Sequence, residues 1–120
     1  MEQPDHGLRE RKKRETRRAI HRAALQSDAA RHTALTNLFT GRPARGIVNR
    51  VMRELGLISG AAPAFPLATA AMAPLRSWGE LRGSGDFSPL WAGQNASGCQ
   101  AVGAAELTRA LAVGFASAGR

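Results

Sequence analysis

Few side chains here could do acid–base, nucleophilic or metal chemistry. The histidines are His6, His21 and His32, and Cys99 is the single cysteine. No two histidines have the spacing that places metal ligands on one helix face. One cysteine supports neither an intrachain disulfide nor a cysteine-based metal site. A nucleophile needs a base held beside it, and Cys99 has none nearby in sequence. A catalytic site needs several convergent groups. With no such set, no Walker loop and no GxGxxG after a strand, neither a catalytic residue nor a metal ligand is assigned.

Cationic chemistry is plentiful. Seventeen Lys and Arg against nine Asp and Glu give a formal net charge of +8. Such an excess is either a solvated basic surface or an attraction for nucleic acid and phosphate groups. Its densest run supplies Arg11, Lys12, Lys13, Arg14, Arg17 and Arg18 as candidate anion or nucleic-acid contacts. Two further segments have binding character. Thr40-Gly41-Arg42-Pro43-Ala44-Arg45-Gly46-Ile47 puts arginines around a Gly-rich turn; at a helix start it would either bind an anion or pair with carboxylates elsewhere. Gly83 to Gln94 sets small residues beside Trp91, which suits either a flat ligand approached by backbone or a packed loop.

The elements that must position these residues read as mainly α. After a polar lead at 1–7, expected to fray, Leu8 to about Leu25 is rich in Arg, Lys, Glu and Ala without Gly or Pro, and predicts a helix with Ile20, Ala23 and Ala24 on its apolar stripe. Ser27 to His32 is a polar joint, and residues 34–39 have the character of a short strand. Pro43 suits the first turn of a second helix. There Ile47, Val48, Val51, Met52 and Leu55 repeat as one buried face, and Gly56 marks the stop. Ser59 to Pro63 is a linker. A third helix is expected from Pro66 through Leu67, Ala70, Ala71, Leu75, Trp78 and Leu81, kinked or broken at Pro74. Residues 83–99 form a loop whose Phe87, Leu90 and Trp91 require it to pack. A last helix, about 104–113, turns Leu107, Ala110 and Leu111 inward.

At 120 residues the chain holds at most one small domain. Large apolar anchors are few, with no Tyr, four Phe and two Trp. No apolar run approaches the roughly 20 residues of a membrane span, and the basic start lacks the apolar core of a signal peptide. With its lone cysteine the chain fits a reducing cytoplasm.

The stretch Thr33 to Arg50, with Leu38-Phe39-Thr40-Gly41-Arg42-Pro43-Ala44-Arg45-Gly46-Ile47 at its centre, resembles the region near the C-terminal end of bacterial nitronate monooxygenases, formerly called 2-nitropropane dioxygenases. Ala64-Phe65-Pro66-Leu67, then Gly83 to Gln94, then Ala105-Glu106-Leu107-Thr108 continue the resemblance in order, over about residues 27–112. His21-Arg22-Ala23-Ala24-Leu25 is similar as well. The resemblance implies an FMN-dependent flavoprotein that oxidises alkyl nitronates with dioxygen, built on a TIM-type α/β barrel with a small added domain. It also implies that the catalytic histidine and the phosphate-binding glycines lie before the matched stretch. No histidine here inherits the catalytic role, and cofactor contact falls to Trp91, Gly93 and Gln94 only in a complete enzyme. A barrel of this kind takes about 250 residues, so FMN is not expected to bind the chain alone.

The front departs from that family. Gly7 to Ile20 resembles the first helix of TetR-type repressors, and the likeness ends near Leu25, before a recognition helix. Residues 1–26 are therefore read as a basic helix resembling the start of a DNA-binding domain, and 27–120 as an enzyme fragment, inactive alone. A small DNA-binding protein or truncated TetR-type regulator is the alternative, and a pseudogene product the third reading. The expected partners are nucleic acid, held weakly and without sequence preference, and further copies of the chain, joined through exposed apolar surface. No membrane partner is expected.

Overall fold

A computed structural model describes residues 5–119. Most of the polar lead, 1–4, lies outside them. Helix α1 spans Asp5–Leu25 and leads through a 3-10 turn, Asp28–Arg31, into strand β1, Thr33–Thr36. Strand β2, Ala44–Ile47, pairs antiparallel with β1, Thr33 opposite Ile47 and Thr36 opposite Ala44. Helices α2, Arg50–Leu55, and α3, Leu67–Glu80, follow; a 3-10 turn at Ala96–Gly98 precedes α4, Ala104–Ala118. The chain is mostly helical with one small two-stranded sheet.

The expected second helix is corrected at its front, since residues 44–47 are a strand. Gly46 explains the choice. A Cβ there would sit 3.0 Å from the Leu90 carbonyl oxygen, so a glycine here gives the segment around Trp91 room to lie against this edge. That segment completes the ladder: Ile47 N–H donates to Leu90 O at 2.8 Å and Ala92 N–H to Arg45 O at 3.2 Å. Helix α2 starts after Asn49 and stops at Gly56, whose φ of +85° suits glycine. Ile47, Val51 and Met52 are buried as expected, while Leu55 is exposed.

Two packed clusters form the core. Leu38, Phe39, Val51, Met52 and Phe87 make one; Ala30, Ile47, Leu90 and Ala96, with Ile20, Ala24 and Leu25 of α1 against them, make the other. The apolar loop residues and the α2 face thus cover each other. The apolar surface left outside is elsewhere. In α3 the body-facing residues are Ala68, Met72, Arg76 and Gly79, a row of period near four, whereas Leu67, Leu75, Trp78 and Leu81 face outward, Leu81 at 86% exposure. At its C-terminal end α3 comes close to the body: a Cβ on Gly79 would lie 3.3 Å from both Phe87 and the Ser84 carbonyl. The helix also runs through Pro74 without a break. Helix α4 buries none of its residues, so Leu107, Ala110 and Leu111, expected inward, stand in solvent.

Candidate functional site

The residues with binding character meet where the Trp91 segment crosses β2. Residues 44–47 bring a ladder edge, and Gly46 pairs with Trp91 as an antiparallel bridge. Phe39, at the end of the turn after β1, meets the Trp91 ring edge-to-face, with centroids 5.7 Å apart. From the other side His21 of α1 reaches the Trp91 carbonyl oxygen at 2.7 Å. A carbonyl can only accept, so Nε2 carries the proton and donates. Trp91 is thereby fixed at its backbone and its ring.

Beside it lies a hollow of about 150 Å³ lined by Phe39, Thr40, Thr69, Met72, Pro89 and Trp91, with Arg76 at its rim. Arg76 belongs to an ionic knot. Glu80, only 8% exposed, accepts from Arg76 Nε at 2.6 Å, from Arg17 Nε at 2.9 Å and from Ser88 Oγ at 3.2 Å. Burial alone would raise the Glu80 carboxyl. The hydrogen bonds and charges of Arg76 and Arg17 outweigh it and hold the group below its ordinary value. The knot joins α1, α3 and the loop. Sequence reading missed Glu80, because nothing in the sequence marks a lone glutamate at the end of an apolar helix as buried. It also missed Asn49, whose Nδ2 donates to Gly85 O at 2.9 Å and Ser88 O at 2.8 Å, clamping the same loop to the start of α2.

Of the cofactor candidates, Trp91 is half-buried while Gly93 and Gln94 are exposed. A Cβ on Gly93 would meet nothing within 4 Å, so no close backbone approach is enforced there. Ligand pockets for molecules of cofactor size run on the order of 300–1,000 Å³, well above the hollow at Trp91. These residues therefore do not by themselves fit an FMN. Of the two readings of Thr40–Ile47, the anion site at a helix start has no helix to form on, since residues 44–47 are a strand. Gly41 takes φ +90° and packs under residues 63–65, the Arg42 guanidinium stacks 4.3 Å from the Phe65 ring centre, and Arg45 Nη1 donates to Thr33 O and Oγ1, each at 3.2 Å.

The six basic candidates of α1 separate. Arg17 is bound to Glu80, Lys13 pairs with Glu10 at 3.2 Å, and Arg11 stands 3.8 Å from Glu15. Lys12, Arg14 and Arg18 are exposed. The 3-10 turn and strand β1 follow α1, so the described residues hold no helix-turn-helix at this point. Among the described residues no group of three His, Cys, Asp or Glu gathers to hold a metal, and no helix is long and apolar enough to cross a membrane.

The nitronate monooxygenase family model matches residues 13–113 and so takes in the back half of α1. The nitronate monooxygenase of Pseudomonas aeruginosa is 37% identical over 94 residues, which are 78% of this chain and 27% of that protein. A probable nitronate monooxygenase of Bacillus subtilis is 32% identical over 75 residues, 62% of this chain and 22% of the relative. Among solved structures, a nitroalkane oxidase from Streptomyces ansochromogenes superposes with a TM-score of 0.71 at 36% identity, covering 82% of this chain and 28% of that one. The chain spans about a quarter of the length of these relatives.

Proposed function

The chain belongs to the nitronate monooxygenase family, and from that premise we propose that it is a C-terminal piece of an FMN-dependent oxidoreductase acting on alkyl nitronates with dioxygen, without turnover on its own. The observation that carries the reading is the superposition: four-fifths of the chain follows little more than a quarter of a nitroalkane oxidase, at 36% identity. The local geometry supports it. Trp91, Phe39 and the Glu80 knot make a firm support, while Gly93 and Gln94 lead outward from it with no cover of their own. FMN, when bound to a complete enzyme, would supply the redox chemistry. What these residues contribute is a fixed edge, Trp91 above all, against which a flavin-bearing domain would close. Within this reading, the part of α1 before residue 13 adds a cationic extension outside the family match rather than a repressor's base-reading unit.

The test is a titration of the purified chain with FMN, followed by flavin fluorescence, beside an oxygen-uptake assay with an alkyl nitronate. The expected result is neither one-to-one flavin binding nor nitronate-dependent uptake. Saturable one-to-one binding with turnover would show the chain to be an enzyme in its own right and overturn the reading.

A further inference from the structure

We infer that α1 carries a second, separate binding surface: an arginine row that grips the phosphate backbone of a nucleic acid. The inference is independent of the oxidoreductase reading. It follows from the phase at which the helix docks. Ile20, Ala24 and Leu25 pack into the core, His21 bonds the Trp91 carbonyl and Arg17 bonds Glu80, so one side of α1 is held on the body. Arg11, Arg14, Arg18 and Arg22 recur at intervals of three, four and four residues. At about 100° per residue they share an arc of about 80° opposite Ile20, with docked Leu25 within the arc at the helix's last residue and His21 beside its edge. All four are exposed. Among the described residues Arg14, Arg18 and Arg22 have no ion pair, and Arg11 has only its 3.8 Å approach to Glu15.

The chemistry of the row selects its partner. Every member is arginine, whose planar fork takes phosphate oxygens two at a time. The row is about 16 Å long, a length over which one strand of a duplex presents about five phosphates. A helix that lies on a membrane needs large apolar residues beside its cations. Here Ile20 and Leu25 are packed on the body, which leaves Leu8 as the one large apolar side chain of α1 outside it. A phosphodiester backbone fits; a lipid surface does not. Lys12, Lys13 and Arg17 line a groove toward Ser77 and Leu81, while Arg18 also borders the hollow at Arg76 and Glu80 and Arg22 one against residues 99–102; the row leaves out half of the basic run and adds Arg22.

The test measures binding of the full chain to a fluorescein-labelled 20-base-pair duplex of mixed sequence, by anisotropy, across a salt series. The variant R11Q/R14Q/R18Q/R22Q is set against K12Q/K13Q/R53Q/R109Q, which removes the same charge elsewhere. The row variant should lose at least about tenfold in affinity at low salt and flatten the log–log salt slope by about 3, near 0.9 for each phosphate no longer neutralised. The control variant should keep its slope within about 0.9 of the parent's, and four Arg→Lys changes in the row should restore most of the slope. Circular dichroism checks that α1 stays helical. Equal losses in both variants would reduce the effect to net charge and overturn the inference. So would absence of duplex binding by the parent chain, or tighter binding to phosphatidylserine vesicles than to the duplex.

Discussion

Replacing Glu80 with Gln tests the knot that joins α1 to the rest of the chain. The substitution keeps the shape and one acceptor oxygen but removes the charge that two guanidiniums face at 2.6 and 2.9 Å. Breaking a fully buried pair by removing one partner costs about 3–5 kcal/mol. Here the glutamate side chain is 8% exposed, but Arg76 and Arg17 are 27% and 39% exposed and can rehydrate. An exposed pair contributes about 0–1 kcal/mol. The knot lies between these limits, so the expected loss is about 2 kcal/mol. Urea unfolding followed by circular dichroism should show a midpoint lowered by about 1 M, given slopes of about 1–3 kcal/mol per M. R17Q, which leaves Arg76 in place, should lose about half as much, and the double variant less than the sum, because the two residues share one ion pair. Amide exchange should quicken over residues 17–25 and not in α4, which the knot does not touch. A midpoint shift under about 0.3 M for E80Q at unchanged slope would refute the view that this ion pair holds α1 in place.

The same group sets a pH dependence. Its folded carboxyl lies below the ordinary value of 4.5, so its contribution is whole above that value and fades as pH falls through the folded one; acid titration of stability should be shallower in E80Q than in the parent. Gly41→Ala must place a methyl group at φ +90° and 2.6 Å from the Pro63 carbonyl, against the Phe65 amide as well, and should cost about 3 kcal/mol or more in urea unfolding. Ending the chain at Gly103 removes an exposed helix carrying Leu107, Leu111, Val113 and Phe115; binding of a hydrophobic dye and self-association at high concentration should both fall at least about twofold, with the urea midpoint moving by less than about 0.3 M.

Much of the framework was legible because particular residues left little choice. Gly56 ends α2 where a positive φ is needed, and Phe87, Leu90 and Trp91 did oblige their loop to pack. What misled was periodicity in segments where size, not hydrophobicity, decides the inner face. In α3 the leucines and Trp78 make the stronger stripe, yet Ala68 and Gly79 are buried instead, the latter crowded by Phe87 and the Ser84 carbonyl. Residues 44–47 read as the front of a helix for a related reason. One of their pairing partners, 90–92, is distant in sequence, and the ladder completed with it and with 33–36 outweighs local helix preference.

The basic run shows the same limit at the level of function. Six cations in sequence look equivalent, but the docking of Ile20 and Ala24 fixes the rotation of α1 and so gives them different work. Arg17 is turned onto a buried carboxylate and Lys13 onto Glu10, while Arg14 and Arg18 remain outside, in line with Arg22. The site around Trp91 divides in a comparable way. Its support is local and complete: Phe39 on the ring, Gly46 along the backbone, His21 on the carbonyl. Its other side is open: Gly93 and Gln94 are exposed, and a Cβ on Gly93 would meet nothing within 4 Å. Under the proposed function this fixed edge would be one wall of a binding site, and a wall alone can position a ligand but cannot exclude water from it.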